Sequence, residues 1–182
     1  MAAGIRVQPQ GVGVAIEIER KFLVSEDDFS DCLNDFQDFP SVLIEQGYLN
    51  RNGGSTVRVR VSNQEGFLSV KGQRVGASRP EFEYSIPLRD AQQLLALCLP
   101  LPVKKRRFLV PCDNHVWHVD QFFGRNSGLI LAEIELRSEG EIFPKPDWIG
   151  REVTSDERYQ NICLSARPFQ SWLDEEDSLG GV

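Results

Sequence analysis

The stretch VAIEIERKFLV, residues 14–24, carries the pattern that decides the fold. Side chains of a strand alternate between two faces. Glu17, Glu19 and Lys21 therefore share one face, and Ile16, Ile18 and Phe22 share the other. The same alternation recurs along the chain. Arg58 and Arg60 lie together against Val57, Val59 and Val61, and Lys71 lies opposite Leu68 and Val70. Glu81 and Glu83 oppose Phe82, Tyr84 and Ile86. Further on, Lys105 aligns with Arg107, His118 with Asp120, and Glu133 with Glu135 and Arg137.

Any half-solvated antiparallel strand alternates in this way. Here the charges fall in same-sign clusters, acidic on the first, fifth and eighth strands and basic on the third and sixth. Ordinary surfaces intersperse the signs. Two topologies accommodate the pattern. In one, the charged faces meet solvent and the aliphatic faces form a sandwich core. In the other, the charged faces line a barrel, and helices or a partner subunit cover the aliphatic exterior. Opposite signs and bound ions make the second arrangement tolerable.

Working outward, Ser25 reads as a helix N-cap with Asp28 at the capping-box position, leading a helix marked by Phe29, Leu33 and Phe36. Strands are expected near 41–50 and 55–62, joined by the hairpin signal Asn52, Gly53, Gly54. The turn at Asn63–Gly66 leads to a strand through Lys71, and a Gly- and Ser-containing loop precedes a strand at 81–87. Asp90 is expected to cap a helix through Leu97. Strands follow near 103–110, 115–122 and 129–137, with a turn at Pro111–Asn114. The expected fold class is α+β: an eight-stranded antiparallel β-barrel with covering helices. Residues 1–13 read as a flexible leader, 14–167 as the domain, and 168–182 as a helical or loose tail with an acidic run at 174–177.

The 182 residues suffice for one domain with a core, and 41% hydrophobic with 26% charged residues is ordinary for a globular chain. A formal net charge of −7 argues against nucleic acid as a partner, which needs a basic face. Cys32, Cys98, Cys112 and Cys163 form no C-x-x-C pair and only two histidines accompany them, so the cysteines are expected to be reduced and mostly buried. No secretory signal or bilayer-spanning run is apparent, which makes the cytoplasm the expected compartment and a membrane partner unexpected.

The motif Glu17-x-Glu19-x-Lys21 resembles the E-x-E-x-K signature of the CYTH family, the triphosphate tunnel metalloenzymes. The resemblance continues in order through residues 45–49, 57–60, 68–72, 81–84, 105–108 and 128–136, and closes at 148–150, 152–154 and 156–161. It spans about Ile16 to Leu164 and is similar to the short, single-domain prokaryotic branch. It implies the tunnel topology with a charged interior and, as activity, metal-dependent hydrolysis of inorganic tripolyphosphate to pyrophosphate and phosphate. Relatives also imply an adenylate cyclase or a nucleoside or thiamine triphosphatase as alternatives; a non-catalytic polyphosphate-binding module is a further alternative, against which the retained carboxylates argue.

The residue types suit that chemistry. A triphosphate is a dense polyanion that needs cations to hold it and a divalent metal to relieve charge. Lys21, Arg58, Arg60, Lys71, Lys105 and Arg107 are the expected substrate contacts. Glu17, Glu19, Asp120, Glu133 and Glu135 are expected to ligate Mg²⁺ or Mn²⁺. Glu81, Glu83 and Asp120 could instead hold a second metal or orient the attacking water, so Glu17, Glu19, Lys21, Glu81, Glu83 and Asp120 form the catalytic candidates. Tyr48 faces either the tunnel or the barrel packing. His118 stands where relatives show glutamate; the position either lies near the rim and tolerates the exchange, or points inward and makes activity depend on pH near neutrality, its pKa raised by neighbouring carboxylates and lowered by a bound metal. The aliphatic outer face makes a homodimer a candidate assembly.

Overall fold

The structure, a computed structural model, describes residues 18–50, 55–72, 81–138 and 140–172; the side chains of residues 33–37 lie outside that description. Glu17, Leu33, Phe36, the Asn52–Gly54 turn, the loop before Glu81, the leader and the acidic run at 174–177 therefore fall outside it.

The strands are β1 (Ile18–Leu23), β2 (Ser41–Asn50), β3 (Thr56–Ser62), β4 (Glu65–Lys71), β5 (Glu81–Ile86), β6 (Val103–Cys112), β7 (His115–Phe123) and β8 (Ile130–Leu136). All pairings are antiparallel, in the order β1-β8-β7-β6-β2-β3-β4-β5. Among the described residues β1 and β5 do not pair, so the expected barrel is a curled sheet rather than a ring closed by hydrogen bonds. The edge of β1 is occupied by a later segment. Leu23 N–H donates to Arg151 O, Gly150 N–H to Leu23 O, and Val153 N–H to Lys21 O. These bonds satisfy backbone groups that closure would otherwise have used.

Helices cover the outer face as the aliphatic alternation requires. Helix α1 (Glu26–Gln37) brings Phe29 onto Phe22, Phe108, Trp117, Val119, Ile130, Ala132 and Ile134, the largest buried cluster. Its start follows the sequence reading: Asp28 N–H donates to Ser25 Oγ at 3.0 Å, and the Ser25 hydroxyl donates to Asp28 Oδ2 at 2.5 Å. Helix α2 (Leu88–Ala96) lays Ala91 and Leu95 on Val59. Asp90 does not cap it. Pro87 occupies the N-cap, its carbonyl accepting from the N–H groups of Asp90 and Ala91, and Asp90 sits in the first turn. There its charge still meets the positive end of the helix.

The inner face changes character along its length. On β8, Glu133 and Glu135 share a face with Leu131; on β7, Asp120 shares one with Phe122; on β6, Lys105 and Arg107 share one with Val103. The apolar members cluster with Leu129, Tyr159, Leu164 and Trp172. Helix α3 (Asn161–Ala166) and the residues after it thus fill one end of the interior. Asn126 ties this plug down, accepting from Phe169 N–H at 2.8 Å. Packing therefore continues past residue 167, where the sequence reading ended the domain. β8 ends at Leu136, so Arg137 does not extend the charged row. Cys98 is buried, while Cys32, Cys112 and Cys163 are only half-buried, fewer than the sequence reading expected to be enclosed. No helix of the described residues is long and apolar enough to cross a membrane.

Candidate active site

The inward faces of all eight strands surround one cavity of about 470 Å³. Glu19 and Lys21 of one edge strand and Glu81 and Glu83 of the other line the same space, which is how the sheet's curl is recognised. Arg58, Arg60, Lys71, Lys105, Arg107, Glu133 and Glu135 complete its charged lining. Every described candidate from the alternation faces this cavity except Asp120, which is fully buried just beneath it.

The charges form two groups. In the first, Lys21 lies in register with Glu133 and its Nζ donates to Glu133 Oε1 at 2.6 Å, while also contacting Glu19. Arg107 Nη2 donates to Glu133 Oε2 at 2.5 Å, and Lys105 Nζ to Asp120 Oδ2 at 2.5 Å. Burial pushes the Glu133 carboxyl up, but Arg107, Lys105 and Lys21 outweigh it and hold the group far below the usual range. Burial pulls the Arg107 guanidinium down; Asp120 and Glu133 reverse this and raise it. Both stay ionised.

In the second group a cross-strand row sets Arg58, Ser69 and Glu83 side by side on β3, β4 and β5. Arg58 Nη2 donates to Glu83 Oε2 at 3.2 Å, Arg60 Nη2 to Glu83 Oε1 at 3.0 Å, and Ser69 Oγ to Glu83 Oε2 at 2.7 Å. Burial raises the Glu83 carboxyl, yet the Ser69 hydroxyl and both arginines hold it below its ordinary value. Lys71 Nζ lies 2.8 Å from Glu81 Oε2, its register partner.

His118 behaves differently from the sequence expectation. Its pKa falls to about 4 instead of rising, because burial and the neighbouring Arg107 outweigh Asp120 and Glu133. Arg107 Nη1 lies 3.3 Å from His118 Nδ1. Arginine only donates, so Nδ1 accepts and the ring proton resides on Nε2. His118 lines the cavity as a neutral imidazole, not as a switch near neutrality.

Glu19 and Glu135 face each other directly across β1 and β8. Like charges in register repel, and a divalent cation between them would remove the repulsion. Among the described residues no three acidic, histidine or cysteine side chains gather as a ready metal cage. Mg²⁺ does not need one, because it binds through one or two carboxylates and takes phosphate oxygens and waters for the rest. The donor set fits such an ion.

Several lining residues escaped sequence reasoning: Gln46, Ser85 and Asn161 in the cavity wall, and Ser69 beside Glu83. Ser69 stands two residues from Lys71, so alternation places it inward, whereas Gln46 shares its face with Tyr48, whose direction the sequence left open. Asn161 comes from α3, not from a strand, and no period announces it. Tyr48 is buried, with Gln46 Nε2 3.4 Å from its hydroxyl, and does not line the cavity.

Fold and site together define a curled antiparallel sheet around a cavity of paired cations and carboxylates. The chain belongs to the CYTH family, whose domain profile matches residues 15–164. It is 44% identical over 159 residues to an inorganic triphosphatase of Acetivibrio thermocellus, covering 87% of this chain and 98% of that protein. It is 36% identical over 154 residues to an inorganic triphosphatase of Nitrosomonas europaea, covering 82% of this chain and 96% of that protein. The crystal structure of the inorganic triphosphatase NE1496 aligns with a TM-score of 0.60 at 31% identity, covering 82% of this chain and 93% of that one.

Proposed function

We propose that the protein hydrolyses inorganic tripolyphosphate to pyrophosphate and phosphate with Mg²⁺ or Mn²⁺ as cofactor. The observation that carries this reading is the convergence of Lys21, Arg58, Arg60, Lys71, Lys105 and Arg107 on one cavity. Six cations around one cavity suit a chain of phosphates, and the curated relatives of the chain are named inorganic triphosphatases.

The arginines would grip phosphoryl oxygens through their planar forks, and the lysines would act as point charges. Asp120 and Glu133 would keep Arg107 charged and aimed inward, and on Lys105 they would oppose burial and Arg107, which together lower its pKa. Glu19 and Glu135, with Glu17 on the same strand as Glu19, would hold the metal, which when bound supplies Lewis-acid relief of phosphoryl charge. Glu81 is tied chiefly to Lys71, whereas Glu83 is gripped by three donors. Glu81 would therefore orient the attacking water and accept its proton. The water oxygen bonds to the terminal phosphorus, and the bridging oxygen leaves with the electron pair on pyrophosphate. No covalent enzyme intermediate is required.

The test is phosphate release from tripolyphosphate, pyrophosphate, thiamine triphosphate and ATP with Mg²⁺, Mn²⁺ or chelator. Metal-dependent release of one phosphate per tripolyphosphate is expected. Absence of release with either metal, or formation of cyclic AMP from ATP as the main reaction, would overturn the reading.

A further inference from the structure

We propose that Glu83 is a resident anion on the Arg58–Arg60 pair and makes the cavity select metal-borne polyphosphate over free anions. The inference rests on the triphosphate reading above and assigns its selectivity to one carboxylate.

Glu83 already occupies the position in which an anion would sit between the two arginines. One oxygen accepts from Arg60 and the other from Arg58, while Ser69 Oγ fixes the second oxygen at 2.7 Å. The guanidinium Nε atoms of Arg58 and Arg60 are buried and have no hydrogen-bond partner among the described residues. Glu83 thus restrains the arginines without saturating them, and each keeps an unspent donor. Buried donors left in this state favour any ligand that supplies acceptors.

A free anion entering here meets a carboxylate as well as two cations. To take the Arg58 and Arg60 donors fully, it must loosen Glu83. That would strand a half-buried carboxylate beside a new negative charge. A polyphosphate that carries its own divalent cation lowers this penalty, because its smaller net negative charge repels Glu83, and Glu81 two residues away, less strongly. The whole cavity shows the same balance: Lys105 and Arg107 are matched by Asp120 and Glu133. Metal and polyanion therefore bind with positive coupling, each improving the affinity for the other by the same factor.

The experiment titrates bis-methylene triphosphate, a non-hydrolysable analogue, into wild type, Glu83→Gln and Ser69→Ala by calorimetry, once with chelator and once with Mg²⁺. Glu83→Gln is expected to bind the metal-free analogue at least about tenfold tighter than wild type. The gap between metal-loaded and metal-free affinity should narrow by a similar factor. Ser69→Ala keeps the charge but loosens its hold, so it should move the same way by a smaller factor, and it carries the test should Glu83→Gln fail to fold. Metal-free affinity unchanged or weakened in the folded variants would overturn the role of Glu83. Wild type failing to bind the analogue even with Mg²⁺ would instead overturn the reading of the cavity itself.

Discussion

Arg107 and Asp120 are joined by two parallel charge-assisted bonds, Nε to Oδ1 at 2.7 Å and Nη2 to Oδ2 at 2.6 Å. Asp120 is fully buried and also accepts from Lys105, which is itself almost wholly buried. Removing one member of such a buried set strands the others without compensation.

Asp120→Asn is therefore expected to lower stability by about 3 kcal/mol. The change should register as a lower urea midpoint with the same slope, since the surface exposed on unfolding is unchanged. A midpoint within error of wild type would show that the set is not held together as its geometry indicates.

Glu19→Gln separates stability from metal binding. Glu19 faces Glu135 in register and also contacts Lys21, so losing its charge trades relieved repulsion against a lost ion pair and should leave the thermal midpoint close to that of wild type. Metal-dependent hydrolysis should fall by roughly 100-fold or more, the scale of losing a group that stabilises transition-state charge. Glu17→Gln is expected to act alike. Wild-type activity in either variant would remove that carboxylate from the metal site.

His118 gives a pH signature. In the metal-free protein its imidazole should titrate near pH 4, which NMR can follow because the chain has only two histidines. Its folded pKa lies below the unfolded value of about 6.5, so the unfolded chain binds the extra proton first. The stability it contributes is present above about pH 6.5 and is lost as pH falls toward about 4. A midpoint near neutrality would show that burial and Arg107 do not outweigh Asp120 and Glu133.

The plug should be worth measuring directly. Leu164 is fully buried among Val103, Phe122, Leu129 and Leu131. Leu164→Ala is expected to cost about 3 kcal/mol, from lost burial and the cavity left behind. A loss below about 1 kcal/mol would mean that this end of the interior collapses readily.

Much of this arrangement was legible in the sequence because a strand has a period of two. That period placed Glu19, Lys21, Arg58, Arg60, Glu81, Glu83, Glu133 and Glu135 on one face, where the cavity lies. It could not say whether the ring closes, since the segment bonding to the edge of β1 lies about 130 residues away in sequence at Gly150–Val153. Nor could it separate the charged half of the inner face from the apolar half. Leu131 and Phe122 obey the same alternation as Glu133 and Asp120, and only the docking of Leu164 and Trp172 shows why they are apolar. His118 was misjudged because its carboxylate neighbours were visible two residues away or in register. Burial, the larger cause, shows only in the fold, and Arg107, which dominates among the charged neighbours, arrives from the adjacent strand two residues from Leu109, the register partner of His118.

The central claim is that the cavity is built for a bare triphosphate, and the measurement that tests it most directly is kcat/KM for tripolyphosphate against that for ATP with the same metal. The cavity wall is mostly charged, and of its two rings Phe67 is already covered by Arg60, whose guanidinium lies 5.0 Å from the ring centroid, while the His118 imidazole is held against Arg107. An adenine base therefore gains little there. Tripolyphosphate is expected to be favoured by at least about tenfold, a barrier difference of about 1.4 kcal/mol. Equal efficiencies, or a preference for ATP, would contradict the account.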